Sequence, residues 1–314
     1  MYISDEAIMQ QYTNEMILLK KMNKEYIEIC EGQEYNTGRE YSILKRCIKD
    51  RDFKKLAKMI EKKIRVNRSL HSYEKTLEKS SPIKENYFSS ERIAIYTCIT
   101  GGYDVVYEPL FVPDNCDFYL VTDKKRELSD DSVWQQIVID RDLLALKCLD
   151  NAGLNRYFKM HPDVLFDDYK FSIYIDGNIK VIGDLTAYIN LIPKAGIAVH
   201  RHGKRNCVYE EAKTIVALGK ANKNSIDNHM KKLKEMGFPK NFGLLECNII
   251  AREHKSQVCK SIMNMWWDDY NTLSKRDQMS LPSVLYRHNM KVEDIATLGT
   301  GVENDYLVRV ERHR

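Results

Sequence analysis

No apolar run in the 314 residues approaches the ~20 needed to cross a bilayer as a helix. The opening residues, Met1-Tyr2-Ile3-Ser4-Asp5-Glu6, lack the basic start and apolar core of a secretory leader, so the expected location is the cytoplasm. Eight cysteines are present, but they are scattered, with no CxxC pair and no zinc-like spacing. Cys98, Cys148 and Cys247 sit among apolar neighbours, where a free thiol behaves as a small hydrophobe, and a reduced, disulfide-free protein is expected. Also missing are a Gly-Lys-Ser/Thr phosphate loop, a GxGxxG fingerprint and any internal repeat. Charge bias is absent over most of the chain. Residues 91–314 hold 31 Lys/Arg against 31 Asp/Glu, and the net +4 comes from residues 1–90, which hold 18 against 14. Without a basic C-terminal portion to neutralise phosphates, nucleic acid is not expected as the main partner.

What is present divides the chain in two. Ile8, Tyr12, Met16, Leu19, Met22, Tyr26 and Ile29 recur at spacings of three and four, which predicts a helix, and a second helical stretch follows from Tyr41. Between Lys45 and Arg68 that second stretch carries eleven basic and three acidic residues. It reads either as a peripheral contact with the inner face of a membrane or with a protein, or as the solvated outside of a docked helical pair. The polar segment from Lys79 to Arg92, with Pro82, reads as a linker. Residues 1–90 are therefore predicted to be a helical N-terminal extension and linker, and residues 91–314 a second unit. There, short apolar strands are expected at Ile93–Ile99, Asp117–Val121, Trp134–Ile139, Phe171–Ile175, Ile197–His200 and Leu245–Ala251. Helical candidates fall at Arg141–Ala152, Tyr157–His161, Leu185–Ile192, Tyr209–Leu218 and Ile226–Met236. The alternation predicts an α/β sheet covered by helices on both faces.

Several strand ends carry chemistry. Phe171 to Ile175 leads into Asp176-Gly177-Asn178, where a carboxylate and an amide oxygen make half a site for a hard divalent cation that shares a nucleotide-sugar diphosphate. An ordinary Asp-Gly turn also accounts for the tripeptide. The first strand leads into Thr100-Gly101-Gly102-Tyr103-Asp104, where two glycines permit close backbone approach and Tyr103 could stack on a base. Asp123 ends the second strand and serves either a nucleoside or a turn cap. Arg156 and Lys159 are spaced to share a helix face beside a diphosphate. His200, His202 and their basic neighbours suit polyhydroxyl or phosphate binding, while Trp266 and Trp267 form either a sugar platform or a helix anchor. Arg276 could neutralise phosphate, and Asp277 and Gln278 could bind or activate a sugar hydroxyl.

Taken in order, the runs IYTCITGGYD, FYLVTD, NRYFKMHPDVLF, YIDGNI, CVYEEA, ECNIIAREH and SKRDQMSLPSVL resemble a glycosyltransferase-like domain first catalogued as a domain of unknown function. That domain occurs in bacterial polysaccharide clusters and plant cell-wall proteins. The resemblance spans roughly residues 91–290 and implies a GT-A-like, Rossmann-type mixed sheet flanked by helices, with the N-terminal helices outside it. It implies a glycosyltransferase that moves sugar from a nucleotide sugar, a UDP-sugar first, to a glycan or lipid-linked glycan in surface or capsular polysaccharide synthesis. By matching positions, Asp176 and Asn178 would hold Mn2+ or Mg2+, and Thr100, Gly101, Gly102, Tyr103 and Asp123 would line the nucleoside pocket. Arg156, Lys159, Arg276 and Gln278 would serve the donor diphosphate, and Asn248 the sugar. Asp277 is expected as the base that takes the acceptor proton, with Glu246 second. Asn178 departs from the family's pair of aspartates. The alternative is a non-catalytic nucleotide-sugar-binding or scaffold module of a polysaccharide assembly complex.

Overall fold

The computed structural model describes residues 81–85, 87, 90–142 and 146–311. The helices and the membrane or protein contact expected of residues 1–78 lie outside the described residues. From Ile93 onward the predicted α/β alternation is present. Strands β1 (Ile93–Ile99), β2 (Cys116–Thr122), β3 (Gln135–Val138), β4 (Phe171–Ile175), β6 (Ile197–Arg201) and β7 (Leu245–Glu253) form one mixed sheet in the order β3-β2-β1-β4-β7-β6. The first four run parallel; β7 is antiparallel to both β4 and β6. Two short strands, β5 (Ile179–Val181) and β8 (Val308–Val310), pair separately.

All seven residues of β1 are buried because the strand is central and covered on both faces. Alternation sends Ala94, Tyr96 and Cys98 to one face, against Phe158 of helix α1 (Asn151–Met160), Trp266 of α5 (Gln257–Thr272) and Leu281 of α6 (Asp277–Arg287). Ile93, Ile95 and Ile99 go to the other face. It is covered by a 3-10 helix at Leu185–Leu191, where the sequence predicts a helix over Leu185–Ile192, and by the β5–β8 pair. Helices α3 (Val208–Ala217) and α4 (Lys223–Glu235) pack as a corner on Leu244 and Met279, and the four-residue α2 (Asp163–Phe166) precedes β4.

Of the stretch expected as a helix, Arg141–Ala152, the described residues 141–142 and 146–150 are not helical. Asp140 Oδ1 accepts from the Asp142 amide at 2.9 Å, and Arg141 Nη1 donates to the Leu149 carbonyl at 2.8 Å. Asp150 then caps the helix by accepting from the Gly153 amide at 2.7 Å, so α1 begins at Asn151 and contains the turn expected at Tyr157.

The described residues of the segment expected as a linker bind back onto the domain as a strap. The Lys84 amide donates to Tyr306 Oη at 3.0 Å, the Tyr87 amide to Thr186 Oγ1 at 3.3 Å, and Asn190 Nδ2 to the Glu85 carbonyl at 2.9 Å. The Lys84 ammonium enters the interior and lies 3.1 Å from Asp305 Oδ2, with both side chains at 0% exposure. Tyr188 Oη and His200 Nε2 reach the same oxygen at 2.8 Å each. Burial alone raises the Asp305 carboxyl, but Lys84 and His200 overcome it and hold the group well below the usual carboxylate range.

Removing the ammonium leaves a buried carboxylate short of its cation, a change that costs about 3–5 kcal/mol. Lys84→Met in the full chain is therefore expected to lower the thermal midpoint by roughly 10 °C. A shift of less than about 2 °C, within the noise of such a measurement, would show that the strap does not support this domain.

Candidate active site

Strands β1, β2 and β3 step outward in one direction, while β4 returns to the opposite side of β1. The crevice at the carboxyl ends of β1 and β4 is the topological switch point, where open α/β sheets take ligands. The Thr100-Gly101-Gly102 turn and the Asp176-Gly177-Asn178 run meet there. A Cβ on Gly177 would lie 3.0 Å from Asp104 Oδ2 and 3.0 Å from Ile99 Cγ1, so the glycine lets the two strand ends pack closely. Gly101 and Gly102 both take positive φ, 65° and 66°. A side chain at 101 would also collide with Asn151, whose Nδ2 lies 2.3 Å from the Cβ position.

Asp123 Oδ1 accepts from the Gly101 amide at 3.0 Å and thereby shapes this turn. Asp123 also lines a cleft of about 660 Å³ with Lys124, Val138, Asp140, Arg141 and Asn151. Thr100 is turned inward, its Oγ1 donating to the Asn151 carbonyl at 2.7 Å, so it fastens the turn to α1 rather than lining a pocket with its hydroxyl. Tyr103 is 66% exposed at the rim.

Beside the switch point stands a web of charges. Arg156 and Lys159, one turn apart on α1, converge on Asp277, the first residue of α6. Arg156 Nε lies 3.0 Å and Lys159 Nζ 2.8 Å from Asp277 Oδ2. Lys159 Nζ also lies 3.3 Å from Asp176 Oδ1, which accepts from Tyr174 Oη at 2.8 Å. The end of α1 is fixed by Arg252 of β7, which is fully buried. Its Nη1 donates to the Lys159 carbonyl at 2.6 Å and its Nη2 to Tyr96 Oη, while Tyr96 Oη donates to the Phe158 carbonyl at 2.9 Å. A cation on the last carbonyls of a helix opposes the negative end of its dipole.

This web changes the roles expected of two residues. The Lys159 side chain is only 1% exposed, so it bridges two carboxylates instead of facing a diphosphate; Arg156, at 27%, retains an open side. Burial raises the Asp277 carboxyl, but Arg156, Lys159 and Arg276 overcome it and hold it far below the usual carboxylate range. A carboxylate so stabilised in its charged form is a weak proton acceptor at neutral pH. Asp277 is placed as the counter-ion that aligns Arg156 and Lys159.

Other expected site residues are committed to structure. Glu246 Oε1 accepts from the Gly203 amide at 3.0 Å and Oε2 from the Val302 amide at 2.7 Å, so both oxygens pin loops and neither is poised as a base. His200 is buried on Asp305, away from any acceptor. His202 Nδ1 accepts from the Lys204 and Arg205 amides at 3.0 and 3.1 Å, which makes it the cap of its own turn. Trp266 is fully buried and donates from Nε1 to the Asp277 carbonyl at 2.9 Å; it anchors α6 and offers no platform. Trp267, half-buried, packs edge-on against Tyr157 and His161 and stacks on Tyr270. The Asn248 carbonyl accepts from the Asp176 amide at 2.8 Å, which puts β7 beside the site. Arg276 and Gln278 flank Asp277 at the start of α6 and are partly exposed.

Among the described residues, no three His, Cys, Asp or Glu side chains gather closely enough to hold a metal ion by themselves. A small hard cation that takes one or two carboxylates and completes its shell with water and phosphate needs no such cluster. Asp176 fits that role, because its contacts fall on Oδ1 and its side chain is 21% exposed. Asn178 donates from Nδ2 to the Glu311 carbonyl at 3.1 Å, while its Oδ1 is buried without a hydrogen-bond partner.

Sequence reasoning did not find Tyr174, Arg252 or Glu311 for this site. Tyr174 reads as a strand residue and Arg252 lies just past the expected strand Leu245–Ala251; their partners in the folded chain reveal their work.

Burial pushes four histidines down from 6.5: His161, His202 to about 3, and His229 and His254 to about 4. Between pH 6.5 and those values the unfolded chain binds more protons than the folded one, so stability is complete above pH 6.5 and falls as pH falls. Each histidine contributes a slope of about 1.4 kcal/mol per pH unit in that window. Denaturant midpoints are expected to fall steadily from pH 7 to pH 5; an unchanged midpoint would rule out neutral, buried imidazoles.

The chain matches the TOD1/MUCI70 glycosyltransferase-like domain over residues 66–313, a span that includes the strap. It is 23% identical over 218 residues to a probable hexosyltransferase, MUCI70, of Arabidopsis thaliana, an alignment covering 61% of this chain and 37% of that protein. The chain thus spans well under half the length of this relative. Among solved structures it is similar to the bifunctional glycosyltransferase WbbM, with a TM-score of 0.44 and 13% identity over 65% of this chain and 39% of that one. It is also similar to the mannosyltransferase Ktr4p of S. cerevisiae, with a TM-score of 0.36 and 10% identity over 71% and 74% of the two chains. With a sheet whose switch point gathers Asp176, Arg156 and the Gly101-Gly102 turn, and a family match over most of its length, the chain belongs to the TOD1/MUCI70 glycosyltransferase-like domain family.

Proposed function

We propose that this protein is a GT-A-type glycosyltransferase that moves a hexose from a nucleotide sugar, a UDP-sugar first, to a glycan or lipid-linked glycan acceptor. The observation that carries the reading is the position of Asp176. It leaves β4 at the switch point, in contact with Lys159 and one strand away from the Gly101-Gly102 turn and the cleft lined by Asp123. In this reading the cleft takes the nucleoside and the glycine turn lets the backbone approach the diphosphate. Arg156, aligned by Asp277, and Arg276 at the start of α6 meet the charge that grows on the leaving diphosphate. Asp176 and the buried Asn178 Oδ1 would hold Mn2+ or Mg2+. When bound, that ion would supply further stabilisation of the leaving group. No helix among the described residues is long and apolar enough to cross a membrane. We place the reaction in the cytoplasm or at the inner face of its membrane, in surface or capsular polysaccharide synthesis.

One observation favours the second reading, a non-catalytic nucleotide-sugar module. Both carboxylates expected to take the acceptor proton are engaged, Asp277 by two cations and Glu246 by two backbone amides. A donor panel with Mn2+ and mixed glycan acceptors separates the two. Acceptor-dependent release of nucleoside diphosphate supports transfer, and nucleotide binding without turnover of any donor supports the module.

Asp176→Ala is expected to lower transfer by about 10²–10³-fold; because it also takes one carboxylate from buried Lys159, the thermal midpoint should fall by a few degrees with the fold intact. Undiminished transfer would falsify the assignment. Asp277→Asn separates counter-ion from base. As the counter-ion, its loss lowers stability and raises the donor KM; as a base, it would lower kcat at unchanged KM and stability.

A further inference from the structure

We propose that Tyr174 is a positioning residue whose phenol, together with Lys159, fixes the Asp176 carboxylate so that a single oxygen, Oδ2, meets the ligand. The inference rests on the reading of Asp176 as the carboxylate of the metal and diphosphate corner. Residues two apart on a strand share a face, so β4 sets Tyr174 directly before Asp176 on the same side. Tyr174 is fully buried, and its ring is held from two directions. It packs against Tyr96 at 5.3 Å between centroids and 67° between planes, and Lys159 Nζ stands 5.1 Å from its centroid. The hydroxyl therefore has little freedom and donates to Asp176 Oδ1 at 2.8 Å, while Lys159 reaches the same oxygen at 3.3 Å.

Two donors on one oxygen leave the carboxylate a single oxygen with which to bind an ion. Mg2+ and Mn2+ accept such a ligand within an octahedral shell, whereas Ca2+ takes six to eight oxygens and commonly a bidentate carboxylate. Tyr174 would thus set the choice of ion as well as its affinity. Phenylalanine would fill the same space and leave Oδ1 to turn outward.

The test measures Mn2+ binding by the paramagnetic resonance of free Mn2+ in the presence of UDP, on the full chain. Tyr174→Phe is expected to weaken Mn2+ by about 10–100-fold, the usual cost of losing a residue that orients a metal ligand. It should also narrow the preference for Mn2+ over Ca2+. Tyr188→Phe removes a buried hydroxyl from a different carboxylate, Asp305, and should leave Mn2+ affinity unchanged. If Tyr174→Phe binds Mn2+ like wild type, or if both variants lose affinity equally, Tyr174 does not position Asp176 and the inference fails. In that case, loss of Mn2+ binding in Asp176→Ala would still uphold the underlying site. Wild type and Asp176→Ala binding Mn2+ alike would overturn the metal reading and the inference together.

Discussion

A buried ammonium is tolerable only when carboxylates surround it, and Lys159 has two. Alone in the interior it would cost several kcal/mol; between Asp176 and Asp277 that penalty is offset. The pairing ties three elements together by charge: the end of β4, the last turn of α1 and the first turn of α6. Arg156 completes a set of two cations and two carboxylates, a web close to neutral. In the proposed reading, an arriving diphosphate would therefore meet little spare positive charge from these four groups. That balance supports a reading in which Arg276 or a divalent ion supplies the rest.

The web is only as exact as the helix that carries it. Arg252, fully buried on β7, fastens the Lys159 carbonyl, and Tyr96 on β1 fastens the Phe158 carbonyl. Trp266 does the same for the other side by bonding the Asp277 carbonyl from α5. Each anchor is a large buried side chain whose polar end reaches a backbone carbonyl of the site. The same large residues fill the core face of the sheet, so packing and site geometry are one arrangement.

Much of this was legible in the sequence, and the illegible parts share a cause. The strands of the sheet could be read because runs such as Ile93–Ile99 and Phe171–Ile175 are apolar and bounded by Gly, Asp or Asn. The convergence of Arg156 and Lys159 could be read because a spacing of three is a local property of a helix. Their target could not, since Asp277 lies 118 residues away from Lys159. Lys84 and Asp305, the Glu246 clamps and the buried Arg252 are likewise pairings between distant segments. Trp266 and His202 were open to two readings because local sequence does not say whether a polar tip ends on a ligand or on the backbone.

Asn178 shows how such a distant pairing fixes a residue type. A family pattern of two aspartates would place a second carboxylate there. In this chain the segment after β8 returns to the site, and the Glu311 amide donates to the Asn178 carbonyl at 2.7 Å. The Glu311 carbonyl then faces the side chain and needs a donor, which Asn178 Nδ2 supplies at 3.1 Å. A carboxylate would set oxygen against oxygen at this place and repel the returning strand. An amide satisfies the carbonyl with one end and keeps an oxygen, Oδ1, on the other. The neutral residue therefore suits the docking of β8 against β5, and in the proposed reading its Oδ1 would be the oxygen left to a cation held mainly by Asp176.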